Sequence, residues 1–393
     1  MSVALLVGVQ KLRVEARESF ASTISGTDLI VGARSGPVNL LLYSVFRIGD
    51  PTANISWQSY QLVARHPDVA WTIPISLGDS HRGFRVVGTN GDYFEHYRYG
   101  DRRPLAFATG APFADLHDAV VGAEVARALG YSVGDRITIA HGIGEGSFAE
   151  HDDQPFTIVG ILERTGTPVD RSVHVSLEAI TAIHEGWESG MRAPAIGARP
   201  GEAAPADLTP KAITAFLVGL ESRAAVFQMQ RALNEYRGEA LSAVMPGVAL
   251  QQLWQVVGLA DTALLLVAAC VVLAGLIGMV TALLTSLNER RREMAILRSV
   301  GARPLHVFLL LEFESALLAA AGVAAGFVIA FGAMALAAPL LEQRFGLFVE
   351  VGAPTGYDLA IAAAVVGAGL LAGLLPAWRA YRNSLADGLS IRL

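Results

Sequence analysis

The chain has 393 residues, 52% of them hydrophobic and 17% charged, with a formal net charge of −6 and a mean hydropathy of +0.43. That balance is too apolar for a soluble protein of this length, and no basic patch of the kind nucleic acid requires is present. The single cysteine, Cys270, lies inside an apolar run, which excludes a disulfide framework and a thiolate metal cluster.

Residues 1–10 (MSVALLVGVQ) form an uncharged run that stops at Lys11. This is about half of the roughly 20 apolar residues a helix needs to span a bilayer. The basic start and small-residue cleavage site of a signal peptide are both missing, so the run reads as the outer half of a truncated first transmembrane helix. Residues 11–247 are globular in composition, with mixed charge and Pro/Gly punctuation, and are long enough to bury a core of their own. Helices are predicted at 57–65, 123–130, 177–184 and 221–237, and strands at 71–77, 84–90, 136–140, 156–163, 173–177 and 213–220. Residues 132–135 read as a turn and 193–210 as a Pro/Ala/Gly loop. The predicted fold of this part is an α+β domain.

After the Met245-Pro246-Gly247 turn, a helical pattern resumes at Val248 and runs without a break into the charge-free stretch 262–287. It reads as a stalk joined to a transmembrane helix, and two further charge-free stretches, 315–341 and 359–378, predict two more. The loop at 288–306 carries Arg290, Arg291, Arg292, Arg298 and Arg303, whereas 342–358 carries only Arg344. Arginine resists translocation, which puts the 288–306 loop and the tail 379–393 in the cytoplasm and the large domain outside. The expected order is therefore half-helix 1–10, extracytoplasmic domain 11–247, stalk and span 248–287, cytoplasmic segment 288–306, span 307–341, outer loop 342–358, span 359–378 and tail 379–393.

Catalytic motifs are poorly supported. Nucleotide hydrolysis needs a glycine-rich loop ending in Lys-Ser or Lys-Thr, yet the only lysines, Lys11 and Lys211, are followed by Leu12 and Ala212. Any ATPase is thus expected in a partner. Gly130-Tyr131-Ser132-Val133-Gly134 matches G-x-S-x-G, but a helix precedes it and a strand follows, the reverse of a nucleophile elbow. His184-Glu185 opens like a zincin helix, but position 188 is Glu where the second histidine would stand. His141, His151 and Asp152 lie in a Gly-rich loop and read as solvated side chains more readily than as a metal site, and Asn54-Ile55-Ser56 is a sequon only in a eukaryotic secretory setting. Glu312 and Glu314 open the third span, where pairing with arginine at the cytoplasmic interface is expected. No cofactor or metal is expected.

The most informative segment is NERRREMAILRSVGARPLH (288–306), whose clustered charges precede Met294, Ile296 and Leu297 on an amphipathic turn closed by Gly301 and Pro304. Such a surface helix suits membrane lipid or a docking partner. ERRREMAILRSVGA (289–302) resembles the coupling segment of the FtsX-like, or MacB-type, ABC permease family. FRVVGTNGDYF (84–94), VVGAEVARALGYSVGDRITI (120–139) and FTIVGILERTGTPVD (156–170) resemble pieces of that family's extracytoplasmic domain, and LLPAWRAYRNSLADGL (374–389) its C-terminal signature. By size the chain resembles lipoprotein-releasing permeases. It departs from the family pattern in lacking a complete basic-flanked first helix and, unlike the macrolide exporter, a fused ATPase domain.

The resemblance implies an inner-membrane permease that pairs with a second copy or paralogue above a cytoplasmic ABC ATPase and transmits force to its outer domain. It implies that Glu289, Arg290, Arg291, Arg292, Glu293, Ile296, Arg298 and Gly301 form the ATPase contact. A lipoprotein, lipid-linked or amphipathic cargo, with or without a periplasmic partner, is the expected substrate. The alternative is a signalling subunit that regulates an extracytoplasmic partner without transport. A membrane-embedded enzyme lacks a catalytic constellation.

Overall fold

The computed structural model describes residues 2–141, 155–184, 207–345 and 352–382. The chain divides into two units, Ala16–Val256 with Glu342–Phe348, and Met1–Glu15 with Val257–Leu341 and Val349–Leu393. Helix α1 (Ser2–Ser22) opens the chain and continues well beyond Lys11. A hydropathy reading stops at the first charge, whereas a helix needs only its backbone hydrogen bonds.

The outer unit contains helices α2 (Pro37–Ser44), α3 (Trp57–Ala64), α4 (Asp92–His96), α5 (Ala123–Leu129), α6 (Leu177–His184) and α7 (Val226–Asn234) around two sheets. The first sheet runs Leu241–Val244, Leu29–Ala33, Ala215–Leu220, Val69–Ile75, all antiparallel. The second runs Arg136–Ile137, Phe156–Leu162, Asp118–Val121, Ser172–Ser176, Phe84–Thr89, Asp79–His81, Ala140–His141, with two parallel pairings inside it.

Alternation along each strand explains the layering, because successive side chains point to opposite faces. Ile30, Ile73, Leu217, Val87 and Val120 from both sheets share one core. Their neighbours Leu29, Val31 and Val218 pack instead with Tyr60 and Val63 of α3 and Met229 and Leu233 of α7. Val86, Ala119 and Val121 pack with Val125 of α5 and with Ile180 and Ile183 of α6. The two sheets thus share one core and carry helices on their other faces, and the second, with its parallel pairs, is of the kind that is covered on both.

Two elements differ from the sequence reading. The expected strand 136–140 is split, Arg136–Ile137 pairing with Phe156–Leu162 and Ala140–His141 with Asp79–His81. These two short strands stand at opposite ends of the sheet order, yet three steps of chain reach only about 10 Å, so the sheet curls until its ends approach. The expected helix 221–237 is shortened to a 3-10 turn, Arg223–Ala225, followed by α7. Ser222 accepts a hydrogen bond from the Ala224 amide, a local cap that competes with helix propagation.

In the membrane unit, α8 (Pro246–Glu289), α10 (Pro304–Phe345) and α11 (Gly356–Arg382) flank the short α9 (Arg291–Ser299). Among the described residues, α8, α10 and α11 are the helices long and apolar enough to cross a membrane, and they contain the three stretches expected. Small residues set their spacing. A Cβ on Gly369 would stand 2.7 Å from Ala319 Cβ, and one on Gly373 would stand 2.3 Å from Ser315 Oγ. The same four-residue step on α10 and α11 therefore brings the two backbones together, the usual device where lipid supplies no hydrophobic drive. Helix α1 meets α10 in the same way, with Val3 over Gly326. Lys11 is buried, donating from Nζ to the Gly352 carbonyl at 3.1 Å and lying 4.7 Å over the Phe331 ring.

Gly373→Val is expected to lower the melting temperature of the detergent-solubilised chain, with a cost of about 1–3 kcal/mol from overpacking. Gly332→Val, in the open part of α10, carries the same propensity change and should leave it nearly unaltered. A second expectation concerns His174, fully buried beside Tyr93 with its Nδ1 on the Val120 carbonyl. Burial foremost, then the nearby Arg47 charge, push its pKa down from 6.5 to about 3. A depressed folded-state pKa stabilises above the unfolded value and loses that contribution as pH falls. The stability gap between wild type and His174→Gln, read from melting curves, should therefore narrow between pH 6.5 and 3.

Candidate functional site

The candidate site is the segment joining α8 to α10, and three residues set its shape. Arg290 leaves helical geometry at φ −88° and ψ 12°, while its amide still donates to Ser286 O at 2.9 Å and its carbonyl accepts from Met294 N at 3.0 Å. One residue thus turns the chain without interrupting the hydrogen bonding. Gly301 ends α9 at φ +107°. Its amide donates to Arg298 O at 3.2 Å, and that of Ala302 to Leu297 O at 3.0 Å, the paired bonds of a Schellman cap. Pro304 then starts α10, where a missing N–H costs nothing.

Side chains divide α9 into two faces. Met294 packs with Leu287 of α8, Val307, Phe308 and Leu311 of α10, and Ala377 and Ala380 of α11, and Ala295 is buried beside it in sequence. Ile296 is 51% exposed, Leu297 48% and Val300 83%, and Glu289, Arg290, Arg292 and Glu293 are exposed with them. Arg298 is half-buried, and the side chain of Arg291 lies outside the described residues. Met294 therefore anchors the segment, while Ile296 and Leu297 leave the amphipathic turn on the opposite side. Val300 was not singled out in the sequence; its four-residue step from Ile296 was the available signal.

Of the two acidic residues on α10, Glu314 meets Arg290 at 3.8 Å, a half-exposed pair worth well under about 1 kcal/mol. Glu312 does not follow the expectation of pairing with arginine. Its Oε2 is buried against Gly373 with no hydrogen-bond partner among the described residues.

The remaining motifs have structural uses. Gly130 closes α5 in the left-handed region, and the Ser132 amide donates to Asp135 Oδ2 at 2.8 Å, so G-x-S-x-G is a cap followed by a turn. Ser56 caps α3 and accepts from the Ser59 amide. His151, Asp152, Glu185 and most of the 193–210 loop lie outside the described residues.

Comparison with known proteins places these features in context. Residues 1–236 match the model of a MacB-like periplasmic core domain, and residues 265–385 that of the FtsX-like permease C-terminal region. The macrolide export ATP-binding/permease proteins MacB of Brucella abortus (strain 2308) and Brucella melitensis biotype 1 are each 36% identical over 124 residues, 32% of this chain. The matched part is 18% of those relatives' length. Among solved structures, the periplasmic region of MacB from Actinobacillus actinomycetemcomitans aligns over 59% of this chain and 94% of its own, at 11% identity and a TM-score of 0.35. The extracellular domain of the noncanonic ABC-type transporter YknZ from Gram-positive bacteria aligns over 56% and 99%, at 13% identity and a TM-score of 0.32.

Gly301→Ala tests the cap. The surroundings of Gly301 are open, so the cost is backbone strain alone, about 1 kcal/mol. Amides of residues 301 and 302 should exchange with deuterium about fivefold faster, with α10 unchanged.

Proposed function

The chain belongs to the FtsX-like permease family, with a MacB-like periplasmic core domain, and from this premise we propose that it is the membrane subunit of an ABC transporter whose ATP is hydrolysed by a separate cytoplasmic partner. It is an inner-membrane protein with a large extracytoplasmic domain. Neither lysine stands in a phosphate-binding loop, which favours a nucleotide site in the partner.

The observation that carries the proposal is the exposed face of α9. Arg292, Glu293, Ile296, Leu297 and Val300 present charge beside apolar surface on a short helix, while Met294 ties that helix to the ends of α8, α10 and α11. An amphipathic helix with two or three apolar anchors is the form that docks into a partner groove. Glu289, Arg290, Arg291, Arg292, Glu293, Ile296 and Arg298 make the contact, and Gly301 fixes where it ends. Movement of the partner then displaces α9 together with the spans it touches.

Helix α8 supplies the route outward. It is continuous from Pro246 to Glu289, and a helix without a proline or glycine break transmits displacement along its axis better than a jointed linker; its glycines, at 247, 258, 275 and 278, leave its backbone helical. We assign the work to movement of the outer domain, with no ion or solute path through the spans. The apolar surface of α8, including Leu265, Leu266, Val267, Leu273 and Ile277, is exposed, which suits cover by bilayer lipid and by a second copy or paralogue. The matched relatives are macrolide exporters by name, and an amphipathic or lipid-linked cargo, lipoproteins included, is the class we assign here.

Co-purification tests the reading. The full chain should bring down the ABC ATPase encoded beside it in detergent, and Arg291→Glu should cut recovery of the complex and its ATP turnover at least tenfold. An intact, active complex with the charge-reversed chain removes α9 as the contact, and failure of any ATPase to associate removes the transporter reading.

A further inference from the structure

Two cavities follow one another along the same helices of the membrane unit. The first opens among Gln10 and Arg13 of α1, Thr262 of α8 and Tyr357 of α11, and reaches Leu6, Ala268 and Ile361 along those helices. The second begins about one turn further on each of them, at Val3, Val272 and Val365. Chain direction fixes the order of depth. Helix α1 leads out to the extracytoplasmic domain, whereas α8 and α11 lead back into the membrane. Arg13, Thr262 and Tyr357 therefore stand toward the outer surface, and Val3, Val272 and Val365 toward the bilayer centre.

The cavities differ in chemistry as the two ends of a lipid do. The outer one carries a guanidinium, a carboxamide and two hydroxyls. Thr262 spends its hydroxyl hydrogen on the Gly258 carbonyl at 2.9 Å, while Tyr357 is 55% exposed. Arg13 is exposed and has a contact of its own, but five N–H donors let a guanidinium hold a phosphate as well. Asp358, next to Tyr357, is buried and accepts from the Thr355 amide and hydroxyl at 2.8 and 2.9 Å, so its charge is already taken up. The deeper cavity is lined by apolar residues alone, and Gly275, Gly278 and Ala282 of α8 with Ala319 and Gly322 of α10 leave about 440 Å³ open. An apolar cavity of about 150 Å³ takes up benzene, so this one has room for an alkyl chain.

We propose that the two cavities together bind one phospholipid of the outer leaflet, its phosphate at Arg13 and Tyr357 and an acyl chain in the deeper cavity. The order from polar mouth to apolar floor is that of the leaflet itself, so the lipid enters sideways without turning over. A dry void would leave its lining without dispersion partners, and water finds no polar partner there to hold it. A methylene chain supplies the missing contacts. The lipid is a resident of the membrane unit and not cargo, so the assignment stands apart from the ATPase contact on α9.

The test titrates the delipidated full chain in detergent with phosphatidylglycerol and, separately, with diacylglycerol of the same chains. Native mass spectrometry counts the bound lipid, and the melting temperature is followed alongside. Wild type should hold one phosphatidylglycerol, melt higher with it, and bind diacylglycerol at least fivefold more weakly. Gly278→Leu fills the deeper cavity from a position where a Cβ meets nothing within 4 Å, so it should fold and bind phosphatidylglycerol at least tenfold more weakly. Arg13→Gln should reduce phosphatidylglycerol to the affinity of diacylglycerol. Gly332→Leu, equally open but outside both cavities, is the control and should bind as wild type does. Full binding by Gly278→Leu overturns the proposal, as does equal affinity of wild type for the two lipids. A triacylated lipopeptide that displaces phosphatidylglycerol one for one also overturns it, because the cavities would then hold cargo. If Gly278→Leu melts early without lipid, Gly322→Leu, at another open position of the same cavity, decides in its place.

Discussion

Everything in the membrane unit depends on how closely helix backbones approach where lipid gives no hydrophobic incentive to associate. Gly369 and Gly373 of α11 against Ala319 and Ser315 of α10, and Gly326 of α10 against Val3 of α1, are the points of contact. Dispersion between backbones and the absence of intervening side chains hold these crossings together. Glu312, whose Oε2 has no hydrogen-bond partner among the described residues and lies beside Gly373, marks the polar end of the α10–α11 crossing. The same ends of α10 and α11, joined by Leu287 of α8, form the apolar seat on which Met294 holds α9. Close packing within the spans is thus what gives the exposed face of α9 a fixed position.

That dependence links sequence to function through small residues more than through chemically reactive ones. Arg290 and Gly301 bound a nine-residue helix, and its outer face mixes arginine, glutamate and aliphatic side chains. In the proposed complex its charges set the register of the partner and its aliphatic residues supply the buried contact. The outer domain is a different kind of object, two sheets that share one core and carry helices on their other faces.

Much of this was legible in the sequence for a physical reason. Charge-free runs identify the bilayer spans, and period-two alternation identified the strands at 84–89, 156–162 and 172–176. Gly130 and Gly301 announced helix ends because each needs a positive φ. What the pattern did not carry was pairing. Met294 and Ile296 look equivalent on an amphipathic turn until the neighbouring helices assign one inward and the other outward. His184 and Asp79 are far apart in sequence and meet because α6 packs on the Phe84–Thr89 strand, which pairs with Asp79–His81. The course of α1 beyond Lys11 was hidden because hydropathy reports the solvent around a helix and not the helix itself.

The central claim is that α9 presents its outer face to an ATP-binding subunit, and site-specific photocrosslinking in native membranes tests it most directly. A photoreactive side chain placed at Ile296 or Val300 is predicted to form a covalent adduct with that subunit, while one at Phe313, exposed on α10, is not. Adducts only with lipid at positions 296 and 300, or an equal yield at 313, would contradict the account.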